Sequence, residues 1–269
     1  MVHPRISVSG LCFPELPAPS AIEAVAALGA ASTSITGAKA RAAGAEAVIA
    51  AGRRHGVKIV TTTGALGLDL SSRPASAASL RRAQEDVDLA AAVGATVMYG
   101  LAGPRTSARW DACADAYVNA AGDLAGYAAV RGVTLAIEPA SWLYADLTFI
   151  HTLHDALLVA PRSRMEICLD AFHVWTEAGL REDIGEHAGL IAHVQLSDMT
   201  RGSRELPCRA VPGDGDVPLA AIVQWLLDAG YPGVFDCELN GPAIDAIGHH
   251  AAAARTVSWL DKLLAELGA

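Results

Sequence analysis

Eight times along the chain, a short β-branched or apolar run is followed by a longer amphipathic stretch rich in alanine and leucine. No other feature limits the possible folds as strongly. Period-2 or wholly apolar runs predict strands at 6–10, 32–35, 57–62, 96–101, 133–138, 165–170, 192–198 and 234–239. The stretches between and after them predict helices over 19–29, 38–55, 75–93, 106–131, 148–160, 177–188, 218–229 and 245–267. Start signals stand at Pro19-Ser20, at Pro104 to Thr106 and at Pro218. Gly29, Gly56, Gly94, Gly132 and Gly230 close helices just before the next strand. Strict strand–helix alternation implies a parallel sheet covered on both faces. Eight units of this size predict a (β/α)8 TIM barrel, one domain over 1–269. The alternative, an open doubly wound sheet, lacks its glycine-rich turn, since no Gly-x-Gly-x-x-Gly follows the first strand. The longest irregular stretch, 198–218, falls between the seventh strand and seventh helix, a length typical of functional loops.

Composition narrows the class of ligand. The chain is 52% apolar and 18% charged, a globular balance. Its net charge is −9, and basic residues cluster no further than pairs such as Arg53-Arg54 and Arg81-Arg82. A nucleic-acid partner is therefore not expected, and a small-molecule substrate is. No apolar run approaches the length of a membrane helix, and MVHPRISVSG passes straight into a strand pattern. The expectation is a soluble cytoplasmic protein with no membrane partner. Cysteines 12, 113, 168, 208 and 237 are scattered without a Cys-x-x-Cys spacing, which fits reduced thiols better than disulfides or a thiolate metal site.

In a barrel of this type, reactions take place at the carboxyl ends of the strands. The last four strands end in polar residues: "VTLAIEPA" in Glu138, "MEICLDAFH" in Asp170 and His173, "IAHVQLSD" in His193, Gln195 and Asp198, and "GVFDCELNG" in Asp236, Glu238 and Asn240. Glu138, Asp170, Gln195 and Glu238 have the parity to point into the barrel mouth. Three carboxylates converging there would repel one another unless a cation neutralised them. Three carboxylate oxygens and an amide oxygen suit Mn²⁺, with Mg²⁺, Co²⁺ and Zn²⁺ as alternatives. Asp170 and His173 are three apart, on one face of a helix but on opposite faces of a continuing strand. The strand is therefore expected to end just after Asp170, where a turn brings His173 over the same site.

In that region the chain resembles the sugar phosphate isomerase/epimerase superfamily with the xylose isomerase-like barrel. The resemblance rests on "AIEP", "CLDAFHVW", "HVQLSD", "RAVPGDGDVPL" and "CELN", in that order and at similar spacing. The "HVQ…D" and "PGxG" combination is most similar to hydroxypyruvate isomerase and ketose 3-epimerase members. The resemblance implies metal ligation by Glu138, Asp170, Gln195 and Glu238, and substrate contacts from His173 and Arg209. Many members carry histidine where Gln195 stands, whereas the hydroxypyruvate isomerase-like ones carry glutamine. Ketose epimerases place a second glutamate six residues after the first, and here that position is Tyr144.

The chemistry that fits is proton abstraction beside a carbonyl, with a metal-stabilised enediolate and Glu138 and Glu238 as the acid/base pair. Proton return to the neighbouring carbon isomerises, return to the opposite face epimerises, and loss of a β-hydroxyl dehydrates. An isomerase or epimerase of a small sugar, sugar acid or keto acid is the main expectation. A metal-dependent dehydratase or lyase on an inositol-, shikimate- or glycoside-derived substrate is the alternative, ahead of a non-catalytic subunit. An abasic-site endonuclease would need further histidine ligands and a basic face. His193 is assigned either to the pocket beside Gln195 or to the barrel wall. Trp142 and Tyr144 are assigned either to stacking on substrate or to a lid or interface. Asp198 is assigned to orienting a ligand or Arg209, or to capping its loop. Barrels of this kind often form homo-oligomers. The first three loops show no phosphate-binding feature, which favours a non-phosphorylated substrate.

Overall fold

The computed structural model describes residues 2–269. Its centre is a closed barrel of eight parallel strands: β1 (Ile6–Val8), β2 (Ser32–Thr36), β3 (Lys58–Thr63), β4 (Val97–Gly100), β5 (Thr134–Ile137), β6 (Glu166–Asp170), β7 (Ile191–Leu196) and β10 (Phe235–Cys237). β10 pairs with both β7 and β1, which closes the ring. The (β/α)8 TIM barrel predicted from the alternation is the fold. Each strand is short because both faces must be buried: the interior admits few side chains per strand, and the helices cover only the outer face.

The helices are α1 (Ala18–Ala27), α2 (Gly37–Ala43), α3 (Ala45–His55), α4 (Arg73–Val93), α5 (Trp110–Ala129), α6 (Leu153–Ser163), α7 (Ala171–Val174), α8 (Leu180–His187), α9 (Leu219–Asp228), α10 (Pro242–Ile247) and α11 (His249–Leu267). The helix expected over 38–55 is two, because Gly44 takes φ +81 and breaks the ladder. The helix expected from 106 starts at Trp110, and the one expected from 148 starts at Leu153. There Thr152 and Asp155 form a reciprocal capping box, which fixes the start more firmly than hydrophobic periodicity does. No helix among the described residues is long and apolar enough to cross a membrane.

The main apolar core lies between the strands and the surrounding helices. A small separate cluster of Tyr99, Ala136 and Cys168 fills part of the interior. The rest of the interior is polar and cross-linked. Ser34 donates to Asp236 at 2.6 Å, and His193 reaches Thr61 at 3.2 Å and Asp236 at 3.4 Å. Register aligns Asp170 with Gln195 across β6–β7 and Gln195 with Asp236 across β7–β10, so the polar ends of three adjacent strands sit side by side.

The 198–218 loop contains a two-stranded antiparallel ribbon not expected from the sequence, β8 (Asp198–Met199) with β9 (Arg209–Ala210). Asp198 anchors it: this buried carboxylate accepts from the backbone N–H groups of Met199, Gly213, Gly215 and Val217 at 2.8–3.1 Å. A Cβ at Gly215 would collide with that carboxylate. Of the roles open for Asp198, the structure assigns the capping one, and through the ribbon it also sets the place of Arg209.

Candidate active site

β6 ends at Asp170, and a single helical turn, α7, begins at once. Asp170 caps that turn, accepting from the Phe172 N–H at 3.0 Å. The change from strand to helix returns His173 to the side of Asp170, with His173 Nε2 3.7 Å from Asp170 Oδ2 and 3.9 Å from Glu138 Oε1. Glu138, first residue after β5, joins them, and one donor atom from each of the three lies within 4.8 Å of the others. All three are buried.

Glu238, just after β10, stands on the far side of Arg209. The Arg209 guanidinium donates from Nη2 to Asp170 Oδ2 at 2.7 Å and to Glu238 Oε1 at 2.9 Å, and from Nη1 to Ser197 at 2.8 Å. Its flat face lies 4.4 Å from the centre of the Phe172 ring. Its Nε is buried and has no hydrogen-bond partner among the described residues. Gln195 donates from Nε2 to Tyr99 Oη at 2.9 Å and to Glu238 Oε2, while its Oε1 accepts from the Cys168 thiol at 3.0 Å.

Of the four ligands expected from the sequence, Glu138 and Asp170 therefore share a cluster with His173. Gln195 and Glu238 are bound to each other and to Tyr99. His193 lies within the barrel, held between Thr61 at 3.2 Å and Asp236 at 3.4 Å. Tyr144 packs edge-on against the His173 ring at 5.1 Å, and Trp142 is 73% exposed at the mouth.

Electrostatics divides the carboxylates. Burial, reinforced by Glu238 and Asp170, pushes the Glu138 carboxyl well above the usual range. Burial also pushes Glu238 up to about 7, against the pull of Arg209. Asp170 is just as buried, yet Arg209 and then His173 outweigh the burial and hold it below the usual carboxylate range. Burial pushes the His173 imidazole down to about 4, with Asp170 opposing only in part, so the ring is neutral near pH 7. Two carboxylates and a neutral imidazole within 4.8 Å fit a divalent cation by donor type, and Glu138, facing two like charges, is the carboxylate that gains most from one.

Residues 22–263 match the family described as the xylose isomerase-like TIM barrel. The chain belongs to that family. Among solved structures, the xylose isomerase-like barrel of this chain superposes on protein SMc04130 from Sinorhizobium meliloti 1021 with a TM-score of 0.86 at 20% identity, covering 97% of this chain and 98% of that one. It superposes on 3-keto-D-glucoside 4-epimerase, YcjR, from E. coli with a TM-score of 0.80 at 19% identity, covering 97% and 100%. For D-psicose 3-epimerase from Clostridium cellulolyticum H10, solved with D-tagatose, the values are 0.80 and 15%, covering 98% and 99%. At these identities the likeness is one of fold. No curated protein matches the chain by sequence.

Within this xylose isomerase-like frame, three site residues escaped the sequence reading. Tyr99 closes β4 in "VMYG", where an aromatic residue after apolar ones reads as core; its inward parity is the one signal it gives. Ser197 and the Phe172 ring both contact Arg209, which is distant in sequence.

Proposed function

We propose that the protein interconverts small hydroxycarbonyl compounds of the sugar type, as an isomerase or epimerase, by moving a proton between carbons or faces next to a carbonyl. The observation that carries this reading is the pairing of Glu138 and Glu238. They come from strands three places apart around the ring, both at its carboxyl end, and Arg209 and Asp170 lie between them. Glu238 is poised near 7 and takes the proton, since a base works best when its pKa lies near the working pH. Glu138 returns a proton from across the site. Arg209 Nε, the unpartnered buried donor, orients a substrate oxygen. A divalent cation held by Glu138, Asp170 and His173 would polarise the carbonyl and stabilise the enediolate. Gln195 and Tyr99 fix the Glu238 carboxylate from behind. Manganese is the cation this reading expects.

The test is exchange in heavy water. Aldoses, ketoses and short keto acids incubated with protein and Mn²⁺ are followed by proton NMR. Solvent deuterium at a carbon next to the carbonyl, without loss of water, is the expected result. Absence of exchange across that set would reject the reading.

A further inference from the structure

Next to the carboxylate cluster lies a cavity of about 580 Å³ whose floor includes His173 and Phe172. His173 belongs both to this lining and to the Glu138–Asp170 cluster, so the cavity borders the site. Its walls are Trp142, Leu143, Trp175, Met199 and Leu206, contributed by the turn after β5, the segment after α7, β8 and the loop before β9. Trp142 is 73% exposed, Leu206 54% and Leu143 47%, so large apolar side chains face solvent around one concavity. Such a patch beside a reaction centre marks a surface that something covers. The charged lining is one Arg204 and one Glu205, so the walls hold no net charge for a phosphate or carboxylate tail. Ligand pockets of roughly 300–1,000 Å³ enclose drug-sized molecules. The hydroxycarbonyl head belongs among the carboxylates, which leaves this volume for another part of the ligand.

Taking the proton-transfer reading of the site as given, we propose that the substrate is a sugar-type compound carrying an uncharged aryl substituent, and that the Trp142–Trp175–Leu206 cavity holds that substituent. Aromatic walls favour a planar apolar group, since ring faces and edges give both contact area and preferred geometry. The floor is braced from behind: Phe172 packs on the Arg209 guanidinium, and the Tyr144 ring stands edge-on to His173. A braced cavity costs little to order on binding.

The experiment uses the full chain and two probes that lack a carbonyl, phenyl β-D-glucopyranoside and methyl β-D-glucopyranoside, titrated by calorimetry. The phenyl glycoside is expected to bind about tenfold more tightly than the methyl one, the difference expected for burying part of a ring. The variants W142A and L206A, both at exposed positions, are expected to remove that preference while leaving methyl glycoside binding unchanged. Equal affinities, no saturable binding of the phenyl glycoside, or equal weakening of both probes by W142A would overturn the proposal. So would a W142A variant that only dissociates an oligomer, which would assign the patch to a second copy of the chain. Failure of the proton-transfer reading shows elsewhere, as absent deuterium incorporation, and leaves the affinity ratio of the two glycosides readable.

Discussion

Arg209 and Asp170 form a fully buried ion pair, with Nη2 2.7 Å from Oδ2, and the same nitrogen also reaches Glu238 at 2.9 Å. The guanidinium is thus the chain's own counter-charge to a group of carboxylates whose mutual repulsion would otherwise oppose folding. Replacing it removes one partner of a buried pair and strands the others, which typically costs about 3–5 kcal/mol. Arg209→Met is therefore expected to lose about that much stability in urea unfolding with chelator present, and saturating Mn²⁺ to restore more to this variant than to the wild type. Arg209→Lys keeps the charge but not the fork, so it should fall between the two. Wild-type stability in Arg209→Met without metal would show that another group neutralises Asp170 and Glu238.

Glu138→Gln and Glu238→Gln each remove a proton carrier while preserving shape. Turnover is expected to fall by about 10²–10⁴-fold in each, the usual contribution of a positioned acid or base. Metal-free stability should hold or rise in Glu138→Gln, because burial pushes that carboxyl up. It should fall in Glu238→Gln, because both Glu238 oxygens accept hydrogen bonds, from Arg209 on one side and from Gln195 and Tyr99 on the other. Steady-state rates with melting curves on the same samples check both halves. Near-normal rates in both variants would remove these residues from the mechanism.

Tyr99 touches the site only through other side chains, accepting from Gln195 at 2.9 Å and donating to Glu238 Oε2 at 3.4 Å. Tyr99→Phe should cost about 1 kcal/mol of stability, the net worth of a buried hydrogen bond. It should also lower kcat more than it raises KM, because Glu238 loses a contact that fixes its carboxylate. A purely structural tyrosine would lower stability and leave kcat intact.

The barrel itself was readable because short β-branched or apolar strand runs alternate with longer amphipathic helical stretches, and that contrast repeats eight times. Glu138, Asp170 and Glu238 were readable for a related reason, since a carboxylate at the end of an apolar strand needs a partner. What the residues did not reveal is who that partner is. Arg209 lies 39 residues from Asp170 and 29 from Glu238, on a two-residue strand too short for any periodicity to mark. The turn of α7 was foreseeable from the Asp170–His173 spacing, whereas the break at Gly44 was not, since one glycine inside a helical pattern is often tolerated. Gln195 had the right parity for a ligand, but parity says nothing of which way an amide faces once Glu238 and Tyr99 compete for it.

Asp198 should behave as a structural residue of unusual weight. Its buried carboxylate accepts four backbone N–H groups, which tie four points of the loop to one side chain. Asp198→Ala is expected to destabilise the fold by about 2–4 kcal/mol, from four hydrogen bonds to one charged acceptor lost together and the buried Val217 N–H left unpaired. Because β9 pairs with β8, the ribbon carrying Arg209 should loosen as well, giving faster amide hydrogen exchange across 198–217. Exchange rates unchanged in that segment would show that another contact holds the ribbon.

Glu177 offers a pH test away from the carboxylate cluster. Its two oxygens accept from the Leu153 N–H at 2.9 Å, at the start of α6, and burial pushes its carboxyl up to about 7 despite those bonds. A folded-state value above the unfolded one means that the protonated form is favoured by folding. The associated stability is fully present below the ordinary carboxylate range and is lost as pH rises through about 7. Wild-type protein should therefore lose melting temperature between pH 5 and pH 8. Glu177→Gln, which cannot ionise but still presents an amide oxygen to Leu153, should lose about 2 °C less over that interval, a shift scaled down for the partial exposure of the carboxyl. Parallel pH profiles for the two proteins would place the Glu177 titration outside the folded range. A steeper fall in the variant would mean that the ionised cap on α6 outweighs the burial of its charge.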